Sequence, residues 1–150
     1  MKLYHHGQLD GKRQKLILQL RRVKDEITDN VTRAFYERLL TITNQDIFHS
    51  GTWKLKEVLP VGLDNSFRHL IAYLWRSATQ MKIIVVNLSP DFAQCRISLE
   101  HELSADKNYV LIDELNDQRY ERQGKDMIHP GLHIILGGYR AHIFDVMPLA

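Results

Sequence analysis

A single cysteine in 150 residues and the lack of any long apolar run close off several routes. Cys95 has no partner for an intrachain disulfide, and it lies inside an alternating apolar run, where a thiol behaves as a small hydrophobe. No stretch reaches the ~18 apolar residues of a membrane span, and the opening MKLYHHGQ has no apolar core of a secretion signal. The expected location is therefore cytoplasmic, with no membrane partner. Charge of one sign is also missing, since 20 basic and 18 acidic residues spread along the chain leave a net charge of +2. No extended field would hold a polyanion, so nucleic acid is not an expected partner.

Motifs that carry chemistry are scarce too. There is no Gly-x-Ser-x-Gly elbow, no glycine-rich phosphate loop and no Cys-x-x-Cys pair. His129 and His133 stand four apart, a spacing that makes a chelate only on a helix, and Pro130-Gly131 breaks any helix between them. His5 and His6 are adjacent, and in extended chain their rings point to opposite faces. No metal site and no cofactor is expected. A glycosidase needs two carboxyl groups set across one bond by rigid elements. Asp113 and Glu114 are neighbours at a strand end and diverge, while Asp10, Asp64 and Asp145 stand alone in their segments. No catalytic residue is assigned.

What is present is the material of one globular domain. A chain of this length buries roughly 68–70% of its unfolded surface, and 44% hydrophobic with 25% charged residues is an ordinary globular mixture. The hydrophobic period changes near residues 44–52. Ahead of it come a short apolar segment at Leu3-Tyr4, a polar loop around Gly7 to Arg13, and an extended segment at Leu16 to Leu20. Val31, Phe35, Leu39 and Ile42 then recur at spacings of four, four and three, which predicts one helix over residues 29–43 with Thr28 as its cap. Beyond the change the period is 2 and no further helix is expected. Eight strands are predicted, over residues 52–59, 69–76, 81–88, 93–99, 108–113, 118–122, 132–136 and 141–146. Turn signals such as Ser89-Pro90-Asp91, Asn116-Asp117 and Gly137-Gly138 separate them. The predicted fold is mainly β, an antiparallel β-sandwich preceded by an extended segment and one α-helix. Residues from about 50 onward should form the independently folding unit.

Two strands carry sharper expectations. In 52–59 the odd positions Trp53, Leu55 and Leu59 are apolar and should face the core, with Lys54 and Lys56 in solvent. In 81–88 the run Ile83-Ile84-Val85-Val86 is apolar at both parities, so this strand should be central and covered on both faces. Parity also places Trp75 in the core with Tyr73 and Ile71. Tyr120 and Tyr139 border turns, and stay open as rings for stacking on a sugar.

The stretches HLIAYLWRSATQMKIIVVNLSPDFAQCRISL, YVLIDELNDQRYERQG and GLHIILGGYRAHIFDV, in that order, resemble the C-terminal β-domain of α-amylase-family glycoside hydrolases. Asn87-Leu88-Ser89 after Ile83–Val86 is the most specific local match. LYHHGQLDGKRQKLILQL is similar to the segment after the eighth barrel strand in that family, and VTRAFYERLLTI to the barrel's last helix. The resemblance implies a remnant of a (β/α)₈ barrel over residues 1–45 and a C-terminal antiparallel β-domain over 46–150. It implies that Gln8, in the loop beside the sugar cleft, is a substrate-binding residue, although Leu9 stands where many members carry an acid. The family's catalytic carboxylates lie upstream of this region. The implied role is thus a non-catalytic accessory domain of a starch or glycogen enzyme, partnered by that enzyme's barrel and by α-glucan. An uncovered barrel remnant would make residues 1–45 a point of self-association. Two other roles compete with it: a stand-alone carbohydrate-binding module, and a partner protein that completes or regulates a separately encoded barrel.

Overall fold

The computed structural model describes residues 4, 7–14 and 26–149. Leu3, His5, His6 and the segment Leu16 to Leu20 lie outside the described residues. The chain divides into two compact units, Met1–Asn44 and Gln45–Ala150.

The first unit contains helix α1, Asn30–Thr43. Its cap is Asp29, not Thr28: the Asp29 carboxylate accepts from the backbone N–H groups of Val31 at 3.0 Å and Thr32 at 3.2 Å. A carboxylate reaches the first free N–H groups and also favours the positive end of the helix dipole. Residues 7–11 form a tight turn, with Lys12 N–H donating to the Gly7 carbonyl at 3.0 Å. This turn faces Asp29, Thr32, Arg33 and Tyr36, the polar side of the helix. The predicted apolar stripe lies elsewhere on the helix, and its early members stay open: Val31 is 81% exposed and Phe35 47%.

The second unit is an antiparallel sandwich of nine strands, one more than predicted. They are β1 (Thr52–Lys56), β2 (Val58–Leu59), β3 (Leu70–Arg76), β4 (Met81–Asn87), β5 (Ala93–Ile97), β6 (Asn108–Asp113), β7 (Gln118–Gln123), β8 (Leu132–Leu136) and β9 (Ala141–Pro148). Six form one sheet in the order β1-β3-β4-β9-β6-β7, and three form the other in the order β2-β5-β8. The extra strand arises because the run 52–59 changes layers at Glu57. β1 pairs with β3 in the larger sheet, whereas β2 pairs with β5 in the smaller one.

Between the sheets Leu74, Ile83, Val85, Cys95, Ile97, Leu111, Ile134 and Phe144 make the core. Burial pushes the Cys95 thiol up to about 12, so it is an inert hydrophobe here. β4 sits in the middle of the six-stranded sheet, and Met81 through Val85 are all buried. That matches the two-sided apolar pattern of its sequence.

β1 reverses the expectation for its faces. Trp53 is 54% exposed and Leu55 56% exposed, both on the side of the large sheet away from the small one. Lys54 and Lys56 point inward, where their ammonium groups meet the buried carboxylate of Glu102 at 3.1 and 2.9 Å. The period-2 reading holds, but a buried acid rather than hydropathy decides which face turns inward.

Helices also occur after residue 44, contrary to expectation. A turn of helix, α2, spans Ile47–Ser50, with Ile47 buried and Phe48 edge-on to the Trp75 ring at 5.7 Å. A 3₁₀ turn spans Ser66–His69, and α3, Gly124–Asp126, leads into a kinked turn at Met127–Gly131. Such pieces are too short for a 3.6-residue period to show. Because Ile47 and Phe48 pack with this unit, its apolar packing starts ahead of residue 50. Among the described residues no helix is long and apolar enough to cross a membrane.

Candidate functional site

Gln8, the one residue expected to touch sugar, lies in the turn of the first unit. Its Nε2 donates to the Tyr36 hydroxyl at 2.8 Å, so the amide is oriented by the helix beside it. Asp10 in the same turn stands 3.8 Å from Arg33. These contacts hold the turn on α1, where Asp29 N–H also donates to the Asp10 carbonyl at 2.9 Å.

The richest polar site of the sandwich was not visible in the sequence. Asp113, at the end of β6, is fully buried and accepts from four donors. These are the N–H groups of Leu115 (3.2 Å) and Ile143 (3.2 Å), Asn116 Nδ2 (2.6 Å) and His142 Nδ1 (2.5 Å). Burial alone would raise the Asp113 pKa, but the bonds from His142 and Asn116 outweigh it and hold the carboxyl below its ordinary value. The ionised carboxylate only accepts, so the Nδ1 of His142 carries the proton. His142 in turn stacks on Phe144 with centroids 4.8 Å apart, and Tyr120 meets Phe144 edge-on at 5.9 Å.

This group opens on a cavity of about 260 Å³ lined by Leu111, Tyr120, Arg122, His133, His142 and Phe144, among others. The cavity follows from the topology. It lies where residues of β6, β7 and β9 meet those of β8, the last strand of the small sheet, and β7 is exposed along most of its length. Among the described residues lining it there is no serine, threonine, cysteine or carboxylate.

Two further charge clusters lie on the large sheet. On its outer face the fully buried Lys82 reaches Glu114 at 2.7 Å and Asp145 at 3.8 Å, while Gln45 Nε2 donates to Glu114 at 3.1 Å. Asp113 and Glu114 do diverge as expected, one into the core and the other to Lys82. Burial raises the Asp145 pKa, with Lys82 opposing and Glu114 reinforcing the rise. On the inner side Glu102 takes Lys54 and Lys56 on one oxygen, and its buried Oε2 has no partner among the described residues. Burial raises its pKa, but the two lysines prevail and hold it below the ordinary value.

The remaining candidates separate. His129 is exposed, and His133, also exposed, meets Gln94 Oε1 at 3.1 Å. Among the described residues no three His, Cys, Asp or Glu side chains are placed to hold a metal. Trp53 is open and Trp75 half-buried outside the core between the sheets, a correction to both, since Leu70, Ala72 and Leu74 are the core members of β3 and Ile71 is exposed. Tyr120 is half-buried and Tyr139 is 71% exposed.

No protein-family model and no curated protein sequence matches the chain. Solved structures do. A maltogenic α-amylase, AmyB, of Thermotoga neapolitana superposes with a TM-score of 0.73 at 14% identity, over 98% of this chain and 33% of that one. An Anoxybacillus α-amylase gives 0.66 at 17% identity over 96% and 28%. An α-amylase of Geobacillus thermoleovorans, solved with acarbose, gives 0.67 at 12% over 95% and 28%. The chain thus has the fold of a part of α-amylase enzymes, and it spans about a third of the length of those it matches.

Proposed function

We propose that the chain is a non-catalytic accessory part of an α-amylase-like enzyme of starch or glycogen metabolism, packing beside that enzyme's (β/α)₈ barrel. The observation that carries this is the match of almost the whole chain to a third of AmyB. On this reading residues 1–45 are the end of the barrel, with Gln8 beside the sugar cleft, and residues 46–150 are the C-terminal β-domain. The outer face of the large sheet supports it, because Trp53, Leu55 and Ile71 are exposed together on neighbouring strands. Exposed apolar area of that kind marks an interface.

The test supplies the missing partner. Purified chain is mixed with an α-amylase barrel that lacks the equivalent third. Complex formation is followed by gel filtration and turnover by reducing sugar released from soluble starch. The chain alone releases none and self-associates through residues 1–45, and with the barrel it co-elutes and raises turnover. Trp53→Glu weakens the complex. Hydrolysis by the chain alone, scaling with protein through repurification, would overturn the reading.

A further inference from the structure

The cavity beside Asp113 gathers side chains whose bonding capacity is only partly used. Arg122 lies two residues from Tyr120, on the same face of β7, and Tyr120 packs against the core. An arginine on that face calls for an acid. Its guanidinium instead stands 5.4 Å from the centre of the Tyr120 ring and donates once, from Nη1 to the Glu121 carbonyl at 2.8 Å. Among the described residues no carboxylate pairs with Arg122, and the Tyr120 hydroxyl has no partner.

The two histidines of the lining differ. His133 is tied through Gln94 to Asp64: Gln94 Nε2 donates to Asp64 Oδ2 at 2.7 Å, which turns Gln94 Oε1 toward His133 Nε2 at 3.1 Å. Burial, and after it Arg96, hold the His133 pKa below its ordinary value, so this ring is a neutral wall. His142 has Asp113 behind its Nδ1, while its Nε2 has no partner among the described residues. A second proton, on Nε2, makes the ring a cation whose counter-charge is already in place. Arg122 and His142 therefore offer positive charge to a cavity whose described lining holds no acid.

The rest of the lining is apolar, with Leu111, Leu132, Ile134 and Phe144 all members of the core. A simple inorganic anion would leave that wall wet. A bare hydrocarbon would cover Arg122 and the Tyr120 hydroxyl without bonding to them, which is unfavourable. Room is sufficient for both chemistries at once. A cavity of about 150 Å³ takes a benzene ring, so about 260 Å³ takes a ring with a short acid arm.

We propose that the cavity binds a small monocarboxylate with an apolar body, the carboxylate on Arg122, Tyr120 and His142 and the body on the leucine, isoleucine and phenylalanine wall. The guanidinium fork matches a carboxylate. With His142 protonated the filled site is neutral, Asp113 and the ligand balancing His142 and Arg122. The proposal does not depend on the accessory role above.

Calorimetric titration of the full chain with 3-phenylpropionate tests it, with 3-phenylpropanol, 3-phenylpropylamine and acetate as comparators. The acid should bind, and each comparator at least ten times more weakly, because they lack the charge, reverse it or lack the ring. Arg122→Gln should weaken the acid tenfold or more, and as Arg122 is exposed the fold should survive. His142→Asn keeps a donor for Asp113 and removes Nε2; it should weaken the acid by a similar factor and leave the alcohol unchanged. Amide NMR signals of Tyr120, Arg122 and Phe144 should move as the acid saturates. Equal binding of acid and alcohol, an unchanged affinity in Arg122→Gln, no binding of the acid at millimolar concentration, or signal changes only away from the cavity would each overturn the proposal.

Discussion

The large sheet buries a charge on each of its faces, and the two are mirror images in composition. Inside, one carboxylate, Glu102, holds two lysines; outside, one lysine, Lys82, holds two carboxylates. Their positions differ more than their chemistry. Lys54 belongs to the edge strand and its side chain is 58% exposed, so it can turn to water if its acid is removed. Lys82 sits on the central strand with a side chain fully buried, and its acids stand on β9 and just past the end of β6. A buried ion pair stabilises little in total, yet losing one partner is costly where the other cannot reach solvent. Tolerance of a deletion should therefore follow strand position rather than the number of contacts.

The largest effect should come from Lys82→Ala, which strands Glu114 and Asp145 in a half-buried site. The expected loss is about 3–5 kcal/mol by urea denaturation at neutral pH. Adding Glu114→Gln and Asp145→Asn to Lys82→Met should recover most of it, because the residual charges are then gone. If Lys82→Met alone recovers as much as the triple variant, packing by the lysine stem rather than its charge is what matters. Glu102→Gln should cost less, about 1–3 kcal/mol, since Lys54 and, with a small shift, Lys56 find water. An equal or greater loss there would break the positional argument.

The same two clusters show where sequence reading succeeds and fails. β6 and β8 are read to the residue because turn chemistry brackets each, and β4 is read as central, one residue longer than it is, because a strand covered on both faces is apolar at both parities. β1 is read with the right period and the wrong face. Hydropathy assigns lysine to solvent, and nothing local announces that Glu102, 46 residues from Lys56, waits inside. Asp113 and His142 are likewise 29 residues apart, joined only by the pairing of β6 with β9. Long-range register is what a single sequence does not spell out. The step into the second layer at Glu57 and the single turn of α2 are invisible for a different reason, being shorter than the periods that reveal them. Tyr139 was legible as an open ring beside a turn, but its left-handed backbone, φ 54, was not, because turn type depends on backbone angles and not on composition alone.

The smallest predicted effect separates the clusters by pH. Glu102 and Asp113 have pKa values lowered in the fold, so the stability they contribute is complete above their ordinary values of 4.5 and 3.8 and is lost as pH falls through the folded ones. Asp145 works in the opposite sense. Its folded pKa is raised above 3.8, so its ionised form weighs against the fold at neutral pH, and that penalty disappears as acid protonates it. Glu102→Gln should therefore flatten the acid limb of a stability-versus-pH curve below about pH 4.5, while lowering the neutral plateau. Asp145→Asn should change the plateau less than Lys82→Ala does, because Lys82 keeps Glu114 at 2.7 Å, and should steepen the acid limb, since a carboxyl that gains from protonation is gone. Urea midpoints between pH 3 and pH 7 measure both. Asp145 then differs from Glu102 in sign as well as size, because burial outweighs Lys82 at Asp145, with Glu114 adding to the rise, whereas two lysines outweigh burial at Glu102. A flattened acid limb in Asp145→Asn would mean that Lys82 holds both acids equally, and the contrast between the two faces would fail.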